Sequence, residues 1–180
     1  MRMKLKWIAI GCALASFATS ASAELPAGSQ APNFSTQVAL AGEEYGFTLQ
    51  AALSKGPVVL YFYPKAFTKG CTLEANAFAE AMAEFQAAGA SVVGMSSDDI
   101  DTLKKFSVEE CRDAFPVGGA TTKLLDAYDV NLVRNGENQG VANRTSYVIA
   151  PDGRISFVHS DLDYRDHVRL SLEAVRALDD

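Results

Sequence analysis

The residues with the clearest chemical promise lie together in YFYPKAFTKGCTLEAN, which runs from Tyr61 to Asn76. An apolar run ends at Pro64, a short polar loop follows, and Cys71 opens a stretch with helical spacing. At or near a helix N-terminus, unpaired backbone N–H groups and the positive end of the helix dipole favour a thiolate. The thiolate is the nucleophilic form, so this placement makes Cys71 a candidate for attack on an electrophile. Gly70 lets the backbone approach closely, and Thr68 can bring a hydroxyl near the sulfur. Pro64 fixes the end of the strand and can shield the pocket from water. Each feature alone is weak, because a cysteine also serves as a small buried apolar residue.

The other cysteines are Cys12 and Cys111. Arg2, Lys4 and Lys6 form a basic start, Trp7 to Ala18 is an apolar run of 12 residues, and Ala21-Ser22-Ala23 is a small-residue exit. That order predicts a cleaved secretory signal over residues 1–23, with the cut after Ala23. The apolar run is too short to cross a bilayer, which needs about 20 residues, so a permanent anchor ranks lower. A lipoprotein cut before Cys12 ranks third. The remaining chain, residues 24–180, is the length of one domain with a respectable core. Export implies an oxidising compartment, where Cys71 and Cys111 can simply form a structural disulfide.

Losing three basic residues with the signal takes the formal net charge from −6 to −9. An acidic body without a lysine–arginine run argues against nucleic acid and against stable association with an anionic membrane surface. No paired Cys-x-x-Cys occurs, and His159 and His167 are the only histidines, so no metal site and no cofactor site is expected.

The elements that must position Cys71 follow from periodicity. VVLYFY, residues 58–63, is a β-prone apolar run of the kind covered on both faces. From Cys71, Leu73, Ala77, Phe78, Ala81, Met82 and Phe85 form a helical stripe that Gly89 ends. SVVGMSS predicts a second buried strand, and Asp98-Asp99 offers a cap to a helix reaching about Arg112. TTKLLDAYDV predicts a short helix, and TSYVIA, PDG and RISFVHS predict a hairpin. YRDHVRLSLEAVRAL predicts a closing amphipathic helix with Val168, Leu172, Val175 and Leu178 on one face. This order implies an α/β layered domain around a mixed sheet, its first two strands parallel because a helix connects them.

Pro64, Thr68 and Cys71 form Pro-x-x-x-Thr-x-x-Cys, and here the chain resembles the peroxiredoxins. VVLYFYPKAFTKGCTLEA, with Gly before the cysteine and Glu three residues after it, is similar to the bacterioferritin comigratory protein (PrxQ) branch. GSQAPNFS, SVVGMSSDD, DAFPV and NRTSYVIAPDGRISFVHSDL extend the resemblance over nearly the whole exported chain. It implies a thioredoxin-like fold in a single domain, a mixed sheet flanked by helices. It also implies a thiol-dependent peroxidase acting on hydrogen peroxide or organic hydroperoxides. Cys71 is then the peroxidatic cysteine, becoming a sulfenic acid. Thr68 helps bind peroxide oxygen, Pro64 belongs to the same motif, and Arg144 is the active-site arginine. By residue type alone Arg144 would lie at the surface.

Two departures from the branch stand out. Many members carry a resolving cysteine five residues after the first, where this chain has Asn76, read here as a solvent-facing helix residue. Others place it in the next helix, at the position of Ser107; Cys111 lies about one helical turn further on and is the candidate resolving residue. The loop residues Ala66-Phe67 replace acidic residues common in the branch. The implied partners are a peroxide and a thioredoxin-like or low-molecular-weight thiol reductant, in a periplasmic or secreted setting. The alternative enzyme class, a thiol–disulfide oxidoreductase, normally needs a second cysteine where Glu74 stands and a proline near Arg144-Thr145. A cysteine hydrolase would need a framed base, and neither His159 nor His167 has such a motif around it; both read as structural. A non-catalytic module stapled through Cys71 and Cys111 is the third class.

Overall fold

The structure, a computed structural model, describes residues 24–178. The signal expected over residues 1–23, with Cys12 and the cut after Ala23, lies outside the described residues. In chain order the elements begin with β1 (Ser35–Leu40), β2 (Glu43–Thr48), α1 (Leu49–Leu53) and β3 (Val58–Phe62). They continue with α2 (Lys69–Ala87), β4 (Ser91–Ser96), α3 (Ile100–Glu109), β5 (Val117–Gly119) and α4 (Thr122–Tyr128). β6 (Asn131–Arg134), β7 (Glu137–Ala142), β8 (Thr145–Ile149), β9 (Ile155–Ser160) and α5 (His167–Arg176) close the chain.

Seven strands form one sheet in the order β2-β1-β5-β4-β3-β8-β9. β3, β4 and β5 pair in parallel, as the connecting helices require, and the remaining pairs are antiparallel. Alternation along β3 divides the core into two layers. Val59 and Tyr61 face α2, α3 and α5, where Phe78, Phe85, Leu103, Phe106, Leu172 and Val175 complete one cluster. Val58, Leu60 and Phe62 face α1 and α4, with Leu49, Leu53, Leu124 and Tyr128 in the other. Covering both faces explains why β3 carries no polar residue. This is the mixed-sheet, thioredoxin-like architecture expected from the sequence.

The departures have local causes. α2 begins at Lys69 with Thr68 as its N-cap, which puts Cys71 inside the first turn rather than at its edge. Its buried stripe includes Glu74, whereas Leu73 is exposed. α3 stops at Glu109, short of Arg112, because Arg112 and Asp113 adopt left-handed φ values of 52° and 56° that no α-helix continues through. The β1–β2 hairpin, α1, β5 and the separate β6–β7 hairpin have no counterpart in the periodicity reading.

Candidate active site

The loop from β3 into α2 is pinned before it delivers the cysteine. The Ala66 backbone N–H donates to Asp98 Oδ2 at 2.7 Å, and the Ser96 hydroxyl donates to the same oxygen at 2.8 Å. Asp99, not Asp98, caps α3, accepting from the Thr102 N–H at 2.9 Å. Phe67 has φ 59°, a strained value for a large side chain, and its ring meets Phe106 edge-on at 5.2 Å. Pro64 is half-buried at the start of this loop, beyond the last β3 residue. Thr68 is exposed, and its hydroxyl donates to the Lys65 carbonyl at 2.9 Å, tying the loop to itself.

Cys71 is 2 % exposed and free. Its sulfur accepts from Arg144 Nη2 at 3.5 Å. Gly70 makes that approach possible: a Cβ there would lie 3.1 Å from the same nitrogen. Arg144 is buried, contrary to the exposure its type predicts, because each part of its guanidinium has a partner. Nη1 donates to Glu74 Oε2 in a fully desolvated ion pair, and Nε donates to the Leu162 carbonyl at 2.9 Å. Glu74 marks where a second cysteine would be required for disulfide exchange. Instead it is a buried anchor for the arginine, three residues after Cys71 in α2. Fixed donors aimed at a sulfur and at the oxygen it attacks stabilise charge that develops as an O–O bond breaks.

Asn76 is not the solvent-facing residue expected. It is half-buried, and its Nδ2 donates to the Thr72 carbonyl at 2.8 Å and to Glu110 Oε2 at 3.0 Å. Its Oδ1 accepts from Arg112 Nη2, while Arg112 Nη1 reaches Glu80 Oε1 at 3.2 Å. These bonds clasp the segment on either side of Cys111 to the helix that carries Cys71. Cys111 is free and fully buried, and its burial pushes the thiol far above the usual cysteine range. Both thiols belong to the same core cluster as the stacked Tyr61 and Tyr63 rings, 5.5 Å apart. Ser107 is buried instead of presenting a side chain to the site, with its hydroxyl accepting from the Gly42 N–H at 3.0 Å and donating to the Lys104 carbonyl at 2.7 Å.

Asp98, Glu74 and Asn76 are therefore polar neighbours of the Cys71 loop and helix that the cysteine motif alone does not reveal. Burial pushes the Glu74 carboxyl up from 4.5 to about 8, against the opposing pull of Arg144. Burial also holds the His167 imidazole down from 6.5 to about 4. A raised carboxyl contributes stability that is complete below 4.5 and lost as pH rises through about 8. A depressed histidine contributes stability that is complete above 6.5 and lost as pH falls through about 4. The two slopes oppose each other from 4.5 to 6.5, leaving 6.5–8 as the window where Glu74 acts alone. In a Cys71→Ser background, where the site thiol does not titrate, the melting temperature is expected to fall across that window. Glu74→Gln should flatten the fall; an equal fall in both proteins would show that Glu74 is already ionised in the folded state.

A model of the AhpC/TSA family matches residues 27–158. Peroxiredoxin Bcp of Escherichia coli is 30% identical over 112 residues, covering 61% of this chain and 72% of that protein. Among solved structures, peroxidoxin BcpB from Mycobacterium tuberculosis superposes with a TM-score of 0.74 at 32% identity, covering 84% of this chain and 97% of that one. The bacterioferritin comigratory protein of Xanthomonas campestris, described for its alkyl peroxide reduction activity, gives 0.71 at 28% identity over 80% and 92%.

Proposed function

The chain belongs to the AhpC/TSA family, and we propose that Cys71 is the thiol through which it reduces peroxides. With peroxiredoxin relatives across sequence and structure, the protein is a thiol-dependent peroxidase. The observation that carries the site assignment is the buried Cys71 sulfur in the first turn of α2, 3.5 Å from Arg144 Nη2. In the reaction the thiolate attacks the terminal oxygen of a hydroperoxide. An S–O bond forms, the O–O bond breaks, and sulfur loses two electrons to become a sulfenate. The hydroperoxide proton passes to the departing alkoxide, which leaves as an alcohol or water. Arg144 is the donor for the charge that develops, while Thr68 and Pro64 shape the loop where the peroxide enters.

Within the family the reading is a bacterioferritin comigratory protein (PrxQ) type, supported by Gly70, Glu74 and the likeness to the Escherichia coli and Xanthomonas proteins. Exposed Phe67 beside the entry loop, where acidic residues are common in the branch, favours organic hydroperoxides alongside hydrogen peroxide. Export rests on the basic, apolar and small-residue order of residues 1–23. Sequencing the exported protein should then give Glu24 as its first residue; a retained Met1 would overturn it. The reductant is a thioredoxin-like protein or a small thiol.

For recycling we favour Cys111, reached by local opening. Its thiol is buried and held protonated, so it must first be exposed, and a disulfide needs Cα atoms within about 7 Å. The bonds of Asn76 to Glu110 and Arg112 oppose that opening. One equivalent of peroxide on the reduced protein should remove two hydrogens from its intact mass and link the Cys71 and Cys111 peptides. Asn76→Ala should speed that link without changing the first oxidation. A stable single oxygen on Cys71 would instead mean a one-cysteine enzyme, and a link seen only between chains on a non-reducing gel would change the resolving partner.

A further inference from the structure

Arg144 reaches Cys71 with one nitrogen, so its aim depends on the two anchors that hold its other nitrogens. One is Glu74 and the other is the Leu162 carbonyl. The Asp161–Leu162 segment is itself held in three places. The Asp161 N–H donates to the Arg144 carbonyl at 3.2 Å, Leu162 accepts from Arg144 Nε, and the Asp161 carbonyl lies 2.9 Å from Nε2 of His167. His167, the first residue of α5, is fully buried.

The partners of the ring determine its tautomer. Nε2 faces a carbonyl, which can only accept, so Nε2 carries the proton. Nδ1 therefore accepts, and the hydroxyl of Ser146, a β8 residue two positions after Arg144, donates to it at 2.8 Å. Glu74 Oε1 lies 3.8 Å from Nδ1 and makes no hydrogen bond of its own among the described residues. The His159 ring from β9 packs at 4.6 Å. A neutral ring satisfies the Asp161 carbonyl and the Ser146 hydroxyl, and burial favours the neutral form. His167 thus stands behind both anchors of the arginine, in hydrogen-bond contact with the Leu162 side and facing the Glu74 side.

We propose that His167 is a positioning residue for peroxide reduction, its Nε2–H holding the Asp161–Leu162 peptide where the Leu162 carbonyl aims Arg144 at the Cys71 sulfur. This rests on Cys71 and Arg144 forming the reacting site. Displacements of an ångström in such a constellation cost up to about 10²-fold in rate, so the expected effect is measurable without loss of fold. The measurement is the second-order rate of Cys71 oxidation by hydrogen peroxide in the reduced protein, with the pH midpoint of Cys71 alkylation by iodoacetamide. Gln at 167 can place an N–H where Nε2 stood, whereas Asn reaches only to the Nδ1 position.

His167→Asn is expected to slow oxidation by about tenfold or more and to move the alkylation midpoint upward, while His167→Gln stays within about threefold of the parent. In an Arg144→Ala background the same His167→Asn change should cost little further, because the residue acts through the arginine. A purely structural histidine would lower the melting temperature of both variants without separating their rates or moving the midpoint. Equal rates in His167→Asn and parent, or the same loss in both arginine backgrounds, overturns the proposal. Should His167→Asn fail to fold, Ser146→Ala, which frees the ring to turn, takes its place with the same expected direction. If the parent itself shows no oxidation at Cys71, the site assignment fails instead.

Discussion

Replacing Cys71 with serine is expected to reduce peroxide turnover to background while leaving the protein folded. The side chain sits in a tight pocket, 2 % exposed, and oxygen fits where sulfur stood. A serine hydroxyl can accept the Arg144 N–H that the sulfur accepts, so the cost to stability should be about 1 kcal/mol. What is lost is the nucleophile, since an alcohol at neutral pH does not attack a peroxide oxygen. Cys111 cannot take over, because it is buried and burial raises its thiol far above the range where it ionises. Peroxide consumption with dithiothreitol as reductant, measured beside thermal unfolding, checks both halves. Cys111→Ser is the control and should still undergo the first oxidation. Substantial turnover by a folded Cys71→Ser protein would remove the basis of the mechanism.

The second large effect is expected at Arg144. Removing one fixed donor to a developing oxyanion typically costs about 10²–10³-fold, or about 2.7–4 kcal/mol. Arg144→Ala should slow oxidation of Cys71 on that scale. The same change leaves Glu74, a fully buried carboxyl, without its cation, and above a pH of about 8, where that carboxyl is ionised, breaking such a pair can cost about 3–5 kcal/mol of stability. The double variant Glu74→Gln/Arg144→Ala removes the stranded acid and should recover much of the stability, but not the rate. Arg144→Lys keeps a charge but loses the fork that bonds Glu74, Leu162 and Cys71 together, and should fall between. Oxidation of Arg144→Ala at the parental rate would mean that the arginine only supports the fold.

How much of this was legible in the sequence varies with range. The buried run in β3 and the helix after Cys71 were visible because their signals are local and periodic. The β1–β2 turn was not, since Ala41-Gly42 adopts φ 51° and 79° without the Asn-Gly pair that normally marks such turns. Asn135-Gly136 does carry that pair, with φ 53° and 80°, between β6 and β7; its strands are too polar to stand out by alternation. β5 is three residues long, and a Cβ on Gly118 would lie 2.8 Å from Val38 Cγ1. Close packing selected that glycine, and it reads as loop. At the site, Cys71, Gly70 and the motif around them are contiguous, and so were recognisable. Glu74 and Arg144 are 70 residues apart in the chain, and a buried ion pair at that separation leaves no local pattern. Asn76 likewise gains its role only when the turn after α3 folds back to α2.

The most direct measurement is the location of the first oxygen. The reduced Cys111→Ser protein would be given one equivalent of hydrogen peroxide in the presence of dimedone, which captures sulfenic acids, then digested and mapped by mass. Label on the Cys71 peptide, absent when Cys71 is serine, is the expected result. Peroxide consumed with no label at Cys71, or label spread over other residues at comparable yield, would contradict the assignment of this helix-start cysteine as the reacting thiol.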